Sequence, residues 1–395
     1  MDQIDIDTGV SLAVDAIHGD RLAILCGAGL SMASPSNLPS AAALARRAKQ
    51  KYDATYGADR PALPSGIEEQ AEFFFDCNEL GTVYLRTYID NDAFAGPPNA
   101  GHIAIADLLL VGGIQTAAST NVDTMIETAG MMLFGRIGAG IDGITVAALP
   151  PHRAPLLKIH GCWGIDPTTT VWTARQLLVE PIASRISSSE TWLSVRLLDR
   201  DLVIVGYWTD WDYLNDVLAR ALGQVRPARV IVVDPSESAT LAAKAPTLFA
   251  LGQRATTAFL HVQTSGDIFL DRLRLSFSPS FVRRVLHSGR ESFRETKGAD
   301  PDAALTEAPV MDSTTLWQVR RDLEGCPPNE PARQRVPPEE PLLGLTILQL
   351  RARGAVAEGP FWPGWASRAG SAHSEPSDTS SRSSLRARNR ASDRS

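Results

Sequence analysis

The sequence predicts an α/β fold built on a mainly parallel, Rossmann-like sheet, and three observations carry that prediction. From Ser11 to about Leu275, helical periodicity alternates with short β-branched runs, the pattern of strands joined by crossover helices. The clearest of these runs is each followed at once by Gly, Asn, Asp or His. The chain of 395 residues is 44% hydrophobic and 21% charged, a globular composition that rules out a disordered or fibrous protein.

The strands read in order are Arg21–Leu25, Thr116–Thr120, Leu156–Ile159, Leu202–Val205 and Val230–Val233. Helices are predicted at Ser40–Gln50, at His102–Leu110 after the turn-like Gly96-Pro-Pro-Asn-Ala-Gly, and at Tyr213–Leu222. Beyond Phe277 the texture changes. Ser278–Arg290 reads as a helix, whereas Glu295–Pro309 and Gly325–Pro341 are rich in Pro, Asp, Glu and Arg, as linkers are. Leu342–Ala357 reads as one helix or a strand pair. Ala366–Ser395, mostly Ser and Arg, lacks the apolar residues to bury a core and reads as disordered. The expected organisation is a domain over residues 1–275, a linker over 276–313, a small module over 314–365 that breaks off after Phe361-Trp-Pro-Gly-Trp365, and a tail over 366–395.

Several classes are disfavoured. A formal charge of −7 gives no direct sign of nucleic-acid binding. Cys26, Cys77, Cys162 and Cys326 stand singly, which fits a reducing cytoplasm and writes neither a disulfide framework nor a zinc site. The acidic N-terminus is unlike a secretory signal. The most apolar stretch, Ile103 to Ile114, is interrupted by Asp107 and two glycines and is too short for a bilayer. A cytoplasmic protein without metal or membrane is the expectation.

In open α/β sheets, ligands bind at the carboxyl ends of strands, so the polar residues just after each strand are the candidates for chemistry. Gly27-Ala28-Gly29-Leu-Ser31 follows the first strand as a small-residue loop able to cradle a phosphate, or as a plain turn. Asn121 and Asp123 follow the second, where they could orient a ribose hydroxyl or a water, or close an Asx turn. His160 ends the third beside Gly161, able to take a proton near neutral pH or to serve as a hydrogen-bonded structural residue. Gly206 and Asp234 follow the fourth and fifth. Trp208, Trp211 and Tyr213 beside them read as core or as oligomer contacts.

Taken together in this order, Gly27-Ala-Gly-Leu-Ser31, Thr120-Asn-Val-Asp123, Lys158-Ile-His-Gly161 and Val205-Gly-Tyr207 resemble the sirtuin-type NAD-binding fold, specifically its bacterial sirtuin-like branch. Asn99-Ala-Gly-His102 adds to the resemblance, which covers residues 10 to 275. It implies that Gly27, Ala28, Gly29 and Ser31 line the diphosphate and ribose of NAD+, that Asn121 positions water or ribose, and that Asp123 holds the nicotinamide carboxamide. His160 becomes the general base, and Gly206 and Asp234 lie along the adenosine half. The paired cysteines of the deacylase zinc module are absent, and Asn37-Leu-Pro-Ser-Ala41-Ala42 stands where deacylases carry Phe and Arg. Small residues there leave water free to reach the ribosyl cation. The implied activity is an NAD+ glycohydrolase releasing nicotinamide and ADP-ribose, associated in this branch with antiphage defence and held in check by homo-oligomerisation or a regulatory protein partner. The alternatives are a non-catalytic sensor of NAD or ADP-ribose and, less favoured, a protein deacylase or ADP-ribosyltransferase.

Overall fold

A computed structural model describes residues 1–57, 59–133, 135–150, 153–206, 216–217, 219–220, 227–254, 258–308, 312–313, 316 and 339–352. Within them runs one parallel sheet of eight strands: β1 (Asp2–Ile4), β2 (Leu22–Cys26), β3 (Thr116–Ser119), β4 (Gly138–Gly140), β5 (Pro155–Lys158), β6 (Asp201–Val205), β7 (Arg229–Val233) and β8 (Ala258–Val262). Their order across the sheet is β1-β8-β7-β6-β2-β3-β5-β4, with every neighbouring pair parallel. Five of the eight are the strands read from sequence, within a residue or so at each end. The other three carry weak signals. β1 is three residues at an edge, β4 is Gly138-Ala-Gly140 with no β-branched residue, and β8 holds a histidine among its apolar residues.

The central strands are apolar on both faces because both faces are covered. Along β2, Ala23 and Leu25 enter one core while Leu22, Ile24 and Cys26 enter the other. In β6, Leu202 and Ile204 oppose Val203 and Val205 in the same way, and in β7, Val230 and Val232 oppose Ile231 and Val233. The first core is closed by the helices Ala41–Tyr56 and Ile67–Asp76 and the π-helical turn Leu80–Tyr88, whose rings cluster. There Phe74 stacks on Tyr84 at 5.0 Å, and Tyr84 meets Trp172 edge-on at 6.4 Å. The second core is closed by the helices Ile6–His18, Ala100–Leu110 and Gly266–Ser288.

Gly266–Ser288 is one helix, so the expected boundary at residue 275 falls inside it. Ser278-Pro279 reads as a helix start in sequence, yet the helix runs through Pro279 because Phe277, Phe281, Val282, Val285 and Leu286 are all buried in the second core. That apolar stripe outweighs one lost backbone hydrogen bond. The segment expected to be a linker holds a second helix, Arg290–Lys297, and the helix Glu339–Ala352 packs on both. Its Ile347 and Leu348 belong to the second core, and Gly344 lies against Gly289 so closely that a Cβ on either would strike the other's backbone. Of the predicted helix Tyr213–Leu222 only residues 216–217 and 219–220 are described, and they are helical; the aromatics Trp208, Trp211 and Tyr213, the tail and most of the 314–365 segment lie outside the described residues. No described helix is long and apolar enough to cross a membrane.

Candidate functional site

The chain builds outward from β2 to β3, β5 and β4, then returns to β2's other side with β6, β7 and β8. The strand order therefore reverses at β2, and the carboxyl end of β2 is where sheets of this kind place a ligand crevice. Into this end the fold brings the loop Gly27–Ser31 and the loop Thr120–Asp123. Thr120 donates its amide to the Cys26 carbonyl at 2.9 Å, tying the two loops together at their roots.

The loop after β2 interlocks with the end of β6. Gly27 donates its amide to the Val205 carbonyl and Gly29 to that of Gly206, at 3.0 and 2.9 Å. Gly206 has φ +58°, and a Cβ there would fall 2.4 Å from the Leu30 nitrogen, so only glycine permits this approach. Two amides that sequence alone offers to a phosphate are thus engaged within the protein. Ala28 and Gly29 nevertheless remain exposed at this end of the sheet.

Below them lies a closed polar network. The Ser31 hydroxyl donates to Asp123 Oδ2 at 2.8 Å and accepts from Asn121 Nδ2 at 2.9 Å. His102 Nε2 approaches the same oxygen at 3.1 Å. His102 Nδ1 accepts from the Asn99 backbone amide, so the ring proton sits on Nε2 and points at Ser31. Asn99 in turn caps the helix Ala100–Leu110 through the amides of Gly101 and His102 and reaches back to the Leu30 carbonyl at 2.7 Å. Burial pushes His102 down to about 4 against the opposing pull of Asp123, so it is neutral at physiological pH. One oxygen of the network is left over. Among the described residues Asn121 Oδ1 has no hydrogen-bond partner, although it is buried in a residue only 5% exposed. A buried amide oxygen without a donor costs about 1–3 kcal/mol, so it marks a place where a ligand or water belongs.

Beneath Asp123 stands a buried cation. Lys158 of β5 donates to the Asp123 carbonyl and to Glu127 Oε1, the latter at 3.2 Å. Burial alone would lower its pKa, but the carboxylates of Glu127 and Asp123 outweigh burial and raise it, so Lys158 stays charged. Two residues on, His160 is held between the carbonyls of Thr120, 3.2 Å from Nδ1, and Val171, against Nε2. Burial is the main cause that brings this imidazole down to about 4; the two carbonyls act the other way. A neutral imidazole has one ring proton, so it can donate to only one of the two carbonyls.

Ser31, Asn121 and Asp123 thus meet in direct contact, with His160 joined to them through the Thr120 backbone. Gly206 takes part by backbone contact. Asp234, two strands away after β7, accepts the Ser236 amide at 2.7 Å in a tight turn, and no bond links it to the Ser31 network among the described residues. His102 is the member whose role sequence reasoning missed. Its signal was present, since a histidine three residues after an Asn closes a capping box. Nothing local hints that its other nitrogen meets Ser31, 71 residues away in sequence. Among the described residues no group of three or more His, Cys, Asp or Glu is placed to hold a metal ion.

No family model matches the sequence, and no curated protein matches it. Among solved structures, a Sir2 homolog in complex with NAD is similar over 69% of this chain and 94% of its own, with 14% identity and a TM-score of 0.41. An ADP-ribose complex of a mutant Sir2 homologue covers 68% and 96% of the two chains at 15% identity and a TM-score of 0.36. A third, concerned with the mechanism and regulation of Sir2 enzymes, covers 69% and 98% at 12% identity and a TM-score of 0.33. At such identities and scores these are distant likenesses.

Proposed function

We propose that the chain is a cytoplasmic NAD+ glycohydrolase of sirtuin-like type, converting NAD+ and water to nicotinamide and ADP-ribose. The observation that supports this best is the buried, partnerless Asn121 Oδ1, set at the strand-order reversal beside a Ser31 hydroxyl already saturated by Asp123, Asn121 and His102. Such an oxygen can accept from a ribose hydroxyl or fix the attacking water.

In the reaction, the bond from the anomeric carbon of the nicotinamide ribose to the ring nitrogen breaks, and its electron pair leaves with neutral nicotinamide. The ribosyl cation left behind is captured by water, whose proton passes to a base. His160 is neutral at physiological pH and suits that role. Asp123, held by Ser31 and the Met125 amide, supplies a fixed acceptor for the carboxamide and negative potential near the developing cation. Gly27, Ala28, Gly29 and Gly206 form the open backbone wall suited to the diphosphate, and Asp234 the adenosine end. The ordered motifs of the bacterial branch support a role as an NAD-draining effector in antiphage defence, silenced by self-association or a partner until triggered.

The test is purified protein with NAD+, the products separated by chromatography, beside Asn121→Ala and His160→Ala. Turnover in the parent reduced about a hundredfold or more in both variants is the expected result. NAD+ that survives intact while raising the melting temperature would support the sensor reading instead.

A further inference from the structure

The loop that carries His160 is held from the side by a residue of a different element. Arg185 lies on the helix Ile182–Arg196 and is buried, 8% exposed. Its guanidinium donates to three backbone carbonyls from three separate segments. Nη1 reaches Ile141, just beyond β4, at 3.0 Å and Ile159, the residue before His160, at 3.2 Å. Nη2 reaches Thr169 at 3.1 Å, two residues before the Val171 carbonyl that faces the imidazole. Val171 closes the frame by donating its amide to the His160 carbonyl at 2.9 Å.

We infer that Arg185 is a positioning residue for His160, fixing the backbone on both sides of the imidazole and setting its cation beside the ring. The inference rests on the base role proposed for His160 above. A planar fork of donors can hold several carbonyls at once, which a lysine's single ammonium cannot do in the same geometry. A buried guanidinium also requires such acceptors, so the helix and the loop stabilise each other. Its charge disfavours a second proton on His160, in the same direction as burial, and Arg185 is the charged group that acts on this ring. A base that stays neutral in acid and does not swing is what water activation beside a short-lived cation requires.

The experiment uses the full chain as the parent protein, Arg185→Gln and Arg185→Lys, each checked for cooperative unfolding. Three quantities are read: kcat and KM for NAD+; the imidazole titration of His160 by NMR, assigned by its loss in His160→Ala; and hydrogen exchange at the Val171 amide. Arg185→Gln should lower kcat about tenfold to a hundredfold with KM little changed, and should move the His160 midpoint upward. Arg185→Lys keeps the charge, so its midpoint should stay with the parent while kcat falls and Val171 exchanges faster. A folded Arg185→Gln protein with the parent's His160 midpoint overturns the inference, as does Arg185→Lys with unchanged exchange and kcat. If Arg185→Gln does not fold, the lysine variant decides. If the parent, silenced, turns over no NAD+, the titration and exchange still test the placement of His160 by Arg185 apart from the glycohydrolase reading.

Discussion

Ser31 shows how much one hydroxyl can organise. A single donor and two acceptor positions are all used, by Asp123, Asn121 and His102, so four side chains from three segments share one arrangement. The cost of the arrangement is acid sensitivity. His102 and His160 both sit near 4 in the folded protein against about 6.5 when unfolded. Above pH 6.5 neither state binds these protons, and the contribution to stability is complete. As pH falls from 6.5 toward 4 the unfolded chain takes up two protons that the folded chain refuses, so stability falls by about 1.4 kcal/mol per pH unit for each histidine. Thermal melts from pH 7.5 to 4.5 should show this loss, and His102→Asn should flatten the profile. At this scale the sequence was informative about identity and silent about contact. Asn121, Asp123 and His160 announce themselves by following strands. That Asn121 turns its nitrogen to Ser31 and leaves its oxygen bare depends on the register of β2 against β3, which no local pattern encodes.

Among the elements, the loop after β2 and the end of β6 act as one piece. Gly206→Ala forces an L side chain into φ +58° and drives a Cβ to 2.4 Å from the Leu30 nitrogen. The variant should lose about 1–3 kcal/mol and bind NAD+ more weakly, because the displaced Gly29 belongs to the proposed diphosphate wall; chemical denaturation and calorimetric titration check the two parts. The five central strands were legible because each is a β-branched or apolar run wide enough to fill both faces of a covered sheet. β4 and β1 were not, since three residues taken into a sheet edge by pairing need no propensity of their own. The helix across Pro279 was misread for a related reason. Proline is a local stop, whereas the stripe Phe277, Phe281 and Val285 is set by the core the helix shares with its neighbouring helices.

At the scale of the whole molecule, helices described beyond residue 275 share the second core with the sheet. Ile347 and Leu348 are fully buried against the helix Gly266–Ser288, which itself packs on the helices Ile6–His18 and Ala100–Leu110. Leu348→Ala should therefore cost about 2–5 kcal/mol and lower the melting temperature in one cooperative transition, measured by scanning calorimetry. A second, lower transition would mean that Glu339–Ala352 melts on its own. Composition hid this integration. A stretch rich in Pro, Glu and Arg leads into the helix, and its run of Leu and Ile from Leu342 to Leu350 does not say by itself what it packs against, so only packing identifies it as part of this core.

The pairing of β1 with β8 sets a clock on biosynthesis. Asp2–Ile4 joins the sheet against Leu260–Val262, so this strand waits for a partner made 258 residues later. At about 5–20 residues per second that interval is roughly 13–50 s. Until residue 206 has emerged, β2 lacks β6 and the Gly29 loop lacks the Gly206 carbonyl that holds it, so the two loops stay unlocked while the intervening strands and helices are made.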